Sequence, residues 1–261
     1  MIAIGIKMEA TRRFEVKIIT CLSIVAALWL LPNLAQAMHI MEGFLPPRHA
    51  LFWLVAVAPF LLIGIVKINR LLKDHPDRKL LLGLVTAFVF VLSALKMPSV
   101  TGSSSHATGI GLAAILFGPG VAGIAAGIVL AFQALLLAHG GLTTWGANTF
   151  SMGIAGGVTA YLVFRGARAA GLSDKVAVFA AAALGDLATY MVTAGQLSVA
   201  FPDPVGGMAA SFLKFAGVFA LTQIPLAISE GLLSVVVYNT LLRYNDQGLI
   251  HLWWKGREHE I

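Results

Sequence analysis

The stretch that decides the fold class is residues 49–70, HALFWLVAVAPFLLIGIVKINR, which carries no charged side chain before Lys67. A helix needs about 20 predominantly apolar residues to cross the hydrocarbon core of a bilayer. Similar runs recur along the chain, because 58% of its 261 residues are hydrophobic and 11% are charged, against about 25% charged in soluble domains. We therefore predict an all-α polytopic membrane protein. The composition excludes a soluble enzyme, a disordered chain and a coiled coil.

Seven apolar spans follow the first 48 residues and form a predicted transmembrane bundle over 49–243. They cover about 49–70, 80–96, 107–117, 121–138, 147–165, 175–195 and 208–242. The third span is short for a crossing, so we expect it to be buried among its neighbours. The last span is long, and Pro225 either kinks one helix or divides a hairpin.

Basic residues beside the spans set the predicted topology, because Lys and Arg are retained on the cytoplasmic side. They form three groups: Lys67, Arg70, Lys73, Arg78 and Lys79; Arg165, Arg168 and Lys175; and Arg243, Lys255 and Arg257. Seven spans with the N-terminus outside and the C-terminus cytoplasmic satisfy all three groups, which favours one long kinked last helix and a cytoplasmic tail over 244–261. The net charge of +6 is thus a topology signal and does not indicate nucleic-acid binding.

The first 37 residues have the parts of a cleavable signal peptide. A basic region ends at Lys17, an apolar run covers 18–31, and Ala35-Gln36-Ala37 provides a small-residue cleavage site. Cleavage after Ala37 makes Met38 the new N-terminus and removes Cys21, the single cysteine. The alternative is an uncleaved anchor helix, and the choice decides whether Met38 has a free amine.

The segment 38–48 begins Met38-His39 and is the first candidate metal-binding element. With a free N-terminus, the Met38 amine and the deprotonated His39 amide form a five-membered chelate, and the His39 imidazole closes a second ring. Nitrogen donors in one plane suit Ni(II), Cu(II) or low-spin Co(II) and not Mg(II) or Ca(II). The alternative is that His39 is an interfacial residue behind a signal peptide.

The second candidate element is the run 99–106, SVTGSSSH, at the outer end of the second span. A Gly/Ser run at membrane depth has to be buried in protein or line a cavity. His106 supplies a fourth nitrogen or caps the third span, and the hydroxyls of Ser103, Ser104 and Ser105 are placed to orient the imidazoles. His139, before Gly140-Gly141, either lies beside this site or extends to the interface.

Three further features bear on packing and mechanism. Asp186 and Glu230 lie inside apolar spans, and we expect them to bond helix ends or partner subunits. The glycines of Gly123-x-x-x-Gly127 and Gly153-x-x-x-Gly157 favour close helix packing. The sequence contains no Gly-x-x-x-x-Gly-Lys-Ser/Thr, so we expect this chain to bind no ATP and another subunit to hydrolyse it.

Several motifs resemble the CbiM family, the substrate-specific S components of energy-coupling-factor (ECF) cobalt importers. They are 38–46 (MHIMEGFLP), 99–106, 115–119 (ILFGP) and 132–148 (FQALLLAHGGLTTWGAN). The resemblance covers nearly the whole chain after residue 37, and the related nickel S components share the Met-His start.

The resemblance implies a seven-helix subunit of the inner membrane that captures Co(II) for cobalamin synthesis. Its N-terminal loop folds inward and binds the ion through the Met38 amine, the His39 amide and imidazole, and the His106 imidazole. The implied partners are a CbiQ-like transmembrane coupling subunit, two CbiO-like ATPase subunits and a small CbiN-like membrane protein.

Two alternatives accompany this reading. The first is a nickel-specific S component of the same family. The second is a metal-dependent intramembrane enzyme, which needs an open coordination position and a general base. Glu42 is the only base near the candidate ligands in the sequence.

Overall fold

The structure, a computed structural model, describes residues 39–95, 97–98 and 104–247, and these are almost entirely helical. The helices are α1 (Pro47–Asp74), α2 (Arg78–Ala94), α3 (Ile110–Phe117), α4 (Pro119–Leu137), α5 (Trp145–Asn148), a π-helix (Thr149–Gly156), α6 (Gly157–Ala169), α7 (Asp174–Ala200) and α8 (Gly207–Asp246). Two short strands, β1 (Met97–Pro98) and β2 (Ser104–Ser105), pair antiparallel. The predicted signal peptide lies outside the described residues.

Four of the described helices, α1, α4, α7 and α8, are long and apolar enough to cross a membrane. α1 lies at the periphery and exposes large apolar side chains such as Leu51, Phe52 and Leu62. An exposed apolar face of this extent suits contact with lipid. Each of the seven predicted spans overlaps a helical segment, which confirms the helical membrane architecture. Seven complete crossings remain a prediction.

The third predicted span is a short helix at the centre of the protein. α3 has 8 residues, and Ile110 to Leu116 are all buried against α4, α6 and α7. It begins at Ile110, three residues later than predicted, because Gly109 before it has φ 68°. A residue in this left-handed region cannot continue a right-handed helix, and glycine adopts it without a steric penalty. The expected burial of this span is confirmed.

The fifth predicted span is a continuous run of α5, the π-helix and α6 over 145–169. Its glycines pack closely on α4: a Cβ added at Gly153 would lie 3.2 Å from the Gly123 Cα, and one at Gly127 would lie 3.2 Å from Trp145. The predicted close approach of small-residue faces is confirmed for these helices. The π-helical segment was not predicted.

The last predicted span is one helix. α8 has 40 residues and continues through Pro225. A proline inside a helix removes one backbone hydrogen bond, but α8 packs against α7. This tertiary packing keeps the two halves of α8 in one helix, so a hairpin divided at Pro225 is excluded.

Candidate metal centre

The segment that precedes α1 lies inside the bundle and not on its surface. His39 is 1% exposed, and Ile40 and Leu45 are buried as well. The two apolar side chains belong to a cluster that includes Tyr190 of α7 and Phe219 of α8. Burial of these side chains provides the driving force that holds His39 in the interior.

His106 and His139 reach His39 from two other elements. His106 follows β2, and His139 follows the end of α4, where Ala138 and Gly140 both have positive φ and turn the chain inward. All three imidazoles are buried. The His39 ring centroid lies 4.4 Å from that of His106 and 4.8 Å from that of His139. One nitrogen from each ring lies within 4.8 Å of the others, so the three side chains form a compact set of nitrogen donors.

The hydrogen bond of His106 determines which of its nitrogens is available to a metal. Its Nδ1 lies 3.0 Å from the carbonyl oxygen of Ala107. A carbonyl oxygen only accepts, so Nδ1 carries the hydrogen, and in the neutral ring Nε2 presents its lone pair. A carbonyl partner of this kind fixes both the tautomer and the ring orientation of a metal-ligating histidine.

The backbone of His106 is held by α8. Gln223 donates through Nε2 to the His106 carbonyl oxygen at 3.1 Å and to the Asp186 carboxylate at 2.9 and 3.0 Å. Gln223 and Asp186 are fully buried. The expectation for Asp186 was a helix end or a partner subunit, but its partner is a side chain in the interior of α8. This bond connects α7 and α8 to the candidate ligand.

Glu230 caps the N-terminus of α3. Its carboxylate accepts hydrogen bonds from the backbone N–H groups of Thr108 and Gly109, at 2.5 and 2.9 Å, and from the Thr108 hydroxyl. The first N–H groups of a helix have no partner within the helix, and a negative charge near them is favourable. The expectation that Glu230 bonds a helix end is confirmed.

Asn148 and Thr144 hold the residue after His39, and neither has a predicted role in the sequence. The Ile40 N–H donates to Asn148 Oδ1 at 2.8 Å, and Asn148 Nδ2 donates to the Ile40 oxygen at 3.0 Å. The Thr144 hydroxyl donates to the same oxygen at 2.6 Å. Both side chains are buried. The signal in the sequence was the position of these polar residues at the start of an apolar run.

Glu42 is exposed and turned toward the loop after α4. Thr143 donates to its carboxylate, through the backbone N–H at 3.1 Å, and its hydrogen bonds lower the pKa of Glu42. A side chain at Gly141 would collide with the Glu42 backbone, so the two segments are in close contact. A general base works best with a pKa near the operating pH, and the shift of Glu42 is away from that range.

The remaining candidate site residues are distributed as follows. The Ser105 hydroxyl is buried and lies 2.6 Å from the hydroxyl of Thr222 in α8. Ser104 belongs to β2, of which the structure describes the pairing with β1. Met38 and Ser103 lie outside the described residues. The structure therefore brings together His39, His106 and His139, with Ser105 next to His106 in the chain.

The fold and the site define a polytopic helical membrane protein with a buried set of nitrogen donors. The family model "CbiM: Cobalt uptake substrate-specific transmembrane region" matches residues 39–247, and the chain belongs to this family. It is 62% identical over 224 residues to Cobalt transport protein CbiM 2 of Pelobacter propionicus, covering 86% of this chain and 99% of that relative.

Other comparisons agree with this membership. Cobalt transport protein CbiM of Carboxydothermus hydrogenoformans is 55% identical over 230 residues, 88% of this chain and 92% of the relative. A crystal structure of a truncated transition metal transporter matches with a TM-score of 0.69 and 26% identity, over 79% of this chain and 99% of that one. The chain therefore belongs with transport components and not with enzymes.

Proposed function

We propose that this protein is the substrate-capture component of an ATP-driven ECF-type importer that brings Co(II) into the cell for cobalamin synthesis. The observation that carries the proposal is the buried cluster of His39, His106 and His139, which converge from three separate segments. Imidazole nitrogens suit transition metals and not Mg(II) or Ca(II). The cobalt transport proteins among the relatives support Co(II) over Ni(II), the alternative within the family.

The ligand set that we propose is the Met38 amine, the His39 amide and imidazole, and the His106 imidazole. The 4.4 Å between the His39 and His106 ring centroids and the contact of His106 Nδ1 with the Ala107 oxygen, which assigns metal binding to Nε2, support this set. In this proposal the side chains of Ser103, Ser104, Ser105 and His139 orient the ligands without binding the ion. A deprotonated amide ligand adds a negative charge, which partly offsets the charge of the ion in a buried site.

The proposed topology has seven crossings, with the N-terminus outside and the C-terminus cytoplasmic in the inner membrane. The signal peptide 1–37 is removed, 38–48 forms the metal-binding loop, 49–243 forms the bundle and 244–261 forms the tail. The start of the family match at residue 39 supports cleavage after Ala37. Cleavage provides the free amine that the ligand set needs.

Release requires external energy in this proposal. The three imidazoles are at most 2% exposed, so an ion held between them leaves only when the segments that carry them separate. The sequence has no nucleotide-binding Gly-Lys-Ser/Thr motif, so the energy comes from two CbiO-like ATPases through a CbiQ-like coupling subunit. A CbiN-like protein completes the complex.

The test combines two measurements on one purified sample from cells grown with cobalt. Mass spectrometry identifies the N-terminal residue, and metal analysis gives the cobalt and nickel content per chain. We expect Met38 at the N-terminus and one cobalt ion per chain. A chain that begins at Met1 and still carries one ion per molecule would contradict the amine ligand, and nickel alone in cobalt-grown cells would favour the nickel alternative.

A further inference from the structure

Asn148 is the last residue of α5, where the helical run changes from α to π geometry, and it is 1% exposed. Local π-helical geometry inside helices occurs frequently at functional sites. The side-chain amide of Asn148 pairs with both backbone groups of Ile40, accepting from its N–H and donating to its carbonyl oxygen. The Asn148 amide thus forms the pair of hydrogen bonds that a residue of a neighbouring β-strand would form with Ile40. Only one orientation of the amide satisfies both bonds, because a flipped amide would face donor with donor and acceptor with acceptor.

Thr144 adds a second donor to the same carbonyl oxygen. Its hydroxyl lies 2.6 Å from the Ile40 oxygen and is fully buried. The Ile40 oxygen therefore accepts from two side chains that are one helical turn apart, and the Ile40 N–H donates to one of them. We call Asn148 and Thr144 the Ile40 clamp.

The Ile40 clamp acts on the residue next to a proposed ligand. The peptide unit between His39 and Ile40 is planar, so a fixed Ile40 N–H also fixes the His39 carbonyl group and its Cα. With the His39 Cα fixed in this way, the directions of the His39 amide nitrogen and of its imidazole depend on rotation about the bonds of that Cα. The centroid of the His39 ring lies 4.4 Å from that of His106 and 4.8 Å from that of His139.

Apolar packing alone does not provide this orientation. The Ile40 side chain is buried against Tyr190 and Phe219, and apolar burial is non-directional. It holds the segment inside the bundle but allows rotation of the peptide planes. Hydrogen bonds require an angle as well as a distance, so the Ile40 clamp supplies the directional part of the restraint.

We propose that Asn148, assisted by Thr144, is a positioning residue that sets the geometry of the His39 nitrogens for transition-metal binding. This inference rests on the proposed function, since it concerns the same metal site. Neither residue touches the ion. Loss of partners that orient ligands typically weakens metal affinity about 10- to 100-fold, and we expect Asn148→Leu and Thr144→Val to fall in that range for Co(II).

The experiment uses the full-length protein, processed in the host and purified in detergent, with Co(II) alone as the probe. Thr144→Val keeps the shape of the side chain and removes the hydroxyl, and Thr144→Ser restores the hydroxyl. Gln196→Leu is the matched control, because Gln196 is buried and its side-chain amide donates to the Ala147 oxygen and not to Ile40. For each variant we would measure the Co(II) affinity, the visible absorption spectrum at saturating Co(II), and the unfolding temperature without metal.

The visible spectrum at saturating Co(II) distinguishes altered ligand geometry from a more mobile segment. A substitution that only makes the segment more mobile lowers the apparent affinity by the fraction of molecules that are competent to bind, but the spectrum at saturation is that of the wild type. We expect Asn148→Leu and Thr144→Val to show weaker binding and a changed saturated spectrum. Thr144→Ser and Gln196→Leu should match the wild type in both. If Asn148→Leu does not fold, Thr144→Val with its Thr144→Ser partner carries the same test.

Three results would overturn the inference: wild-type affinity in Thr144→Val and in any folded Asn148→Leu, weaker binding with the wild-type spectrum at saturation, or an equal loss in Gln196→Leu. These outcomes differ from failure of the proposed function. In that case the wild-type protein itself would bind no Co(II), or His106→Ala would bind it as well as the wild type does.

Discussion

The Glu230 carboxylate accepts a hydrogen bond from the Thr108 backbone N–H, and the two residues are 122 positions apart in the chain. Glu230 lies in α8 on the far side of Pro225 from Gln223, which bonds the His106 carbonyl. α8 therefore holds the segment that carries His106 on both sides of its proline. A movement of α8 would be transmitted directly to a proposed metal ligand.

Glu230→Gln tests the cap on α3. An amide oxygen cannot serve the Thr108 and Gly109 N–H groups as a carboxylate does, and the new NH₂ group faces donors. Buried donors without partners cost roughly 1–3 kcal/mol, so we expect the free energy of unfolding to fall by about that amount. Thermal unfolding of the purified protein measures it. Ser229→Ala is the control, because Ser229 is exposed and bonds only its own helix at Pro225. Equal stability of the two variants would show that the cap contributes little.

His106→Ala tests the proposed ligand. We expect cobalt uptake by whole cells to fall to background, because a nitrogen donor is removed from a buried site. Expression and assembly with the coupling subunit should remain at wild-type levels. His75→Ala is a matched control, since His75 is an exposed residue between α1 and α2. Unchanged uptake in His106→Ala would remove this residue from the site.

The positions of the helices were predictable because hydropathy reports burial in lipid, and it does so locally. The start of α3 was not predictable, because it depends on the left-handed conformation of Gly109 and on a contact with Glu230, which is far away in the sequence. The π-helical segment packs against α4 and α7, and no local pattern in the sequence predicts its geometry.

The candidate site likewise contains residues that the sequence indicated and residues that only the structure identified. His39 and His106 stood out because imidazole has a distinctive chemistry wherever it occurs. Asn148 did not, since an asparagine at the start of an apolar run is equally typical of a helix end. Its role depends on a contact across 108 positions, and only the folded structure contains that information.

A third prediction concerns energy coupling. The purified chain alone should bind Co(II) but show no ATP-stimulated accumulation in vesicles, because its sequence has no nucleotide-binding motif. Co-expression with the coupling and ATPase subunits should restore accumulation. Vesicles that contain the complex with an ATPase subunit inactivated in its nucleotide site provide the control. ATP hydrolysis by the purified chain would contradict the prediction.

A fourth prediction concerns pH. Metal ligands have to be deprotonated, and the ordinary pKa values of an α-amine and an imidazole are about 8 and about 6.5. Co(II) affinity should therefore be highest above this range and fall as the pH is lowered through it.

The Glu42 carboxylate is the control for this pH dependence. Its hydrogen bonds to Thr143 lower the pKa of Glu42, so the contact between Glu42 and Thr143 is present at and above the ordinary range of a carboxyl group and is lost only below that range. Equilibrium binding from pH 8.5 to 5.5 should give the same midpoint for Glu42→Gln as for the wild type, and a shifted midpoint would assign the transition to the loop.

The last prediction isolates the terminal amine. If Met38 binds the ion through its α-amino nitrogen, one alanine inserted between Ala37 and Met38 should abolish binding although every side chain is intact. The insertion converts the Met38 amine into an amide, which has to lose its proton before it can bind a metal, and moves His39 to the third position, which changes the chelate rings. The new atoms also have to fit where His39 is 1% exposed. Mass spectrometry would confirm the added residue at the N-terminus before cobalt uptake and the number of bound ions are measured. An alanine inserted after Gln247, the last described residue of the tail, controls for the added length. Wild-type uptake with the confirmed extra N-terminal residue would exclude the amine as a ligand and leave the His39 amide and the imidazoles as the proposed nitrogen donors of the site.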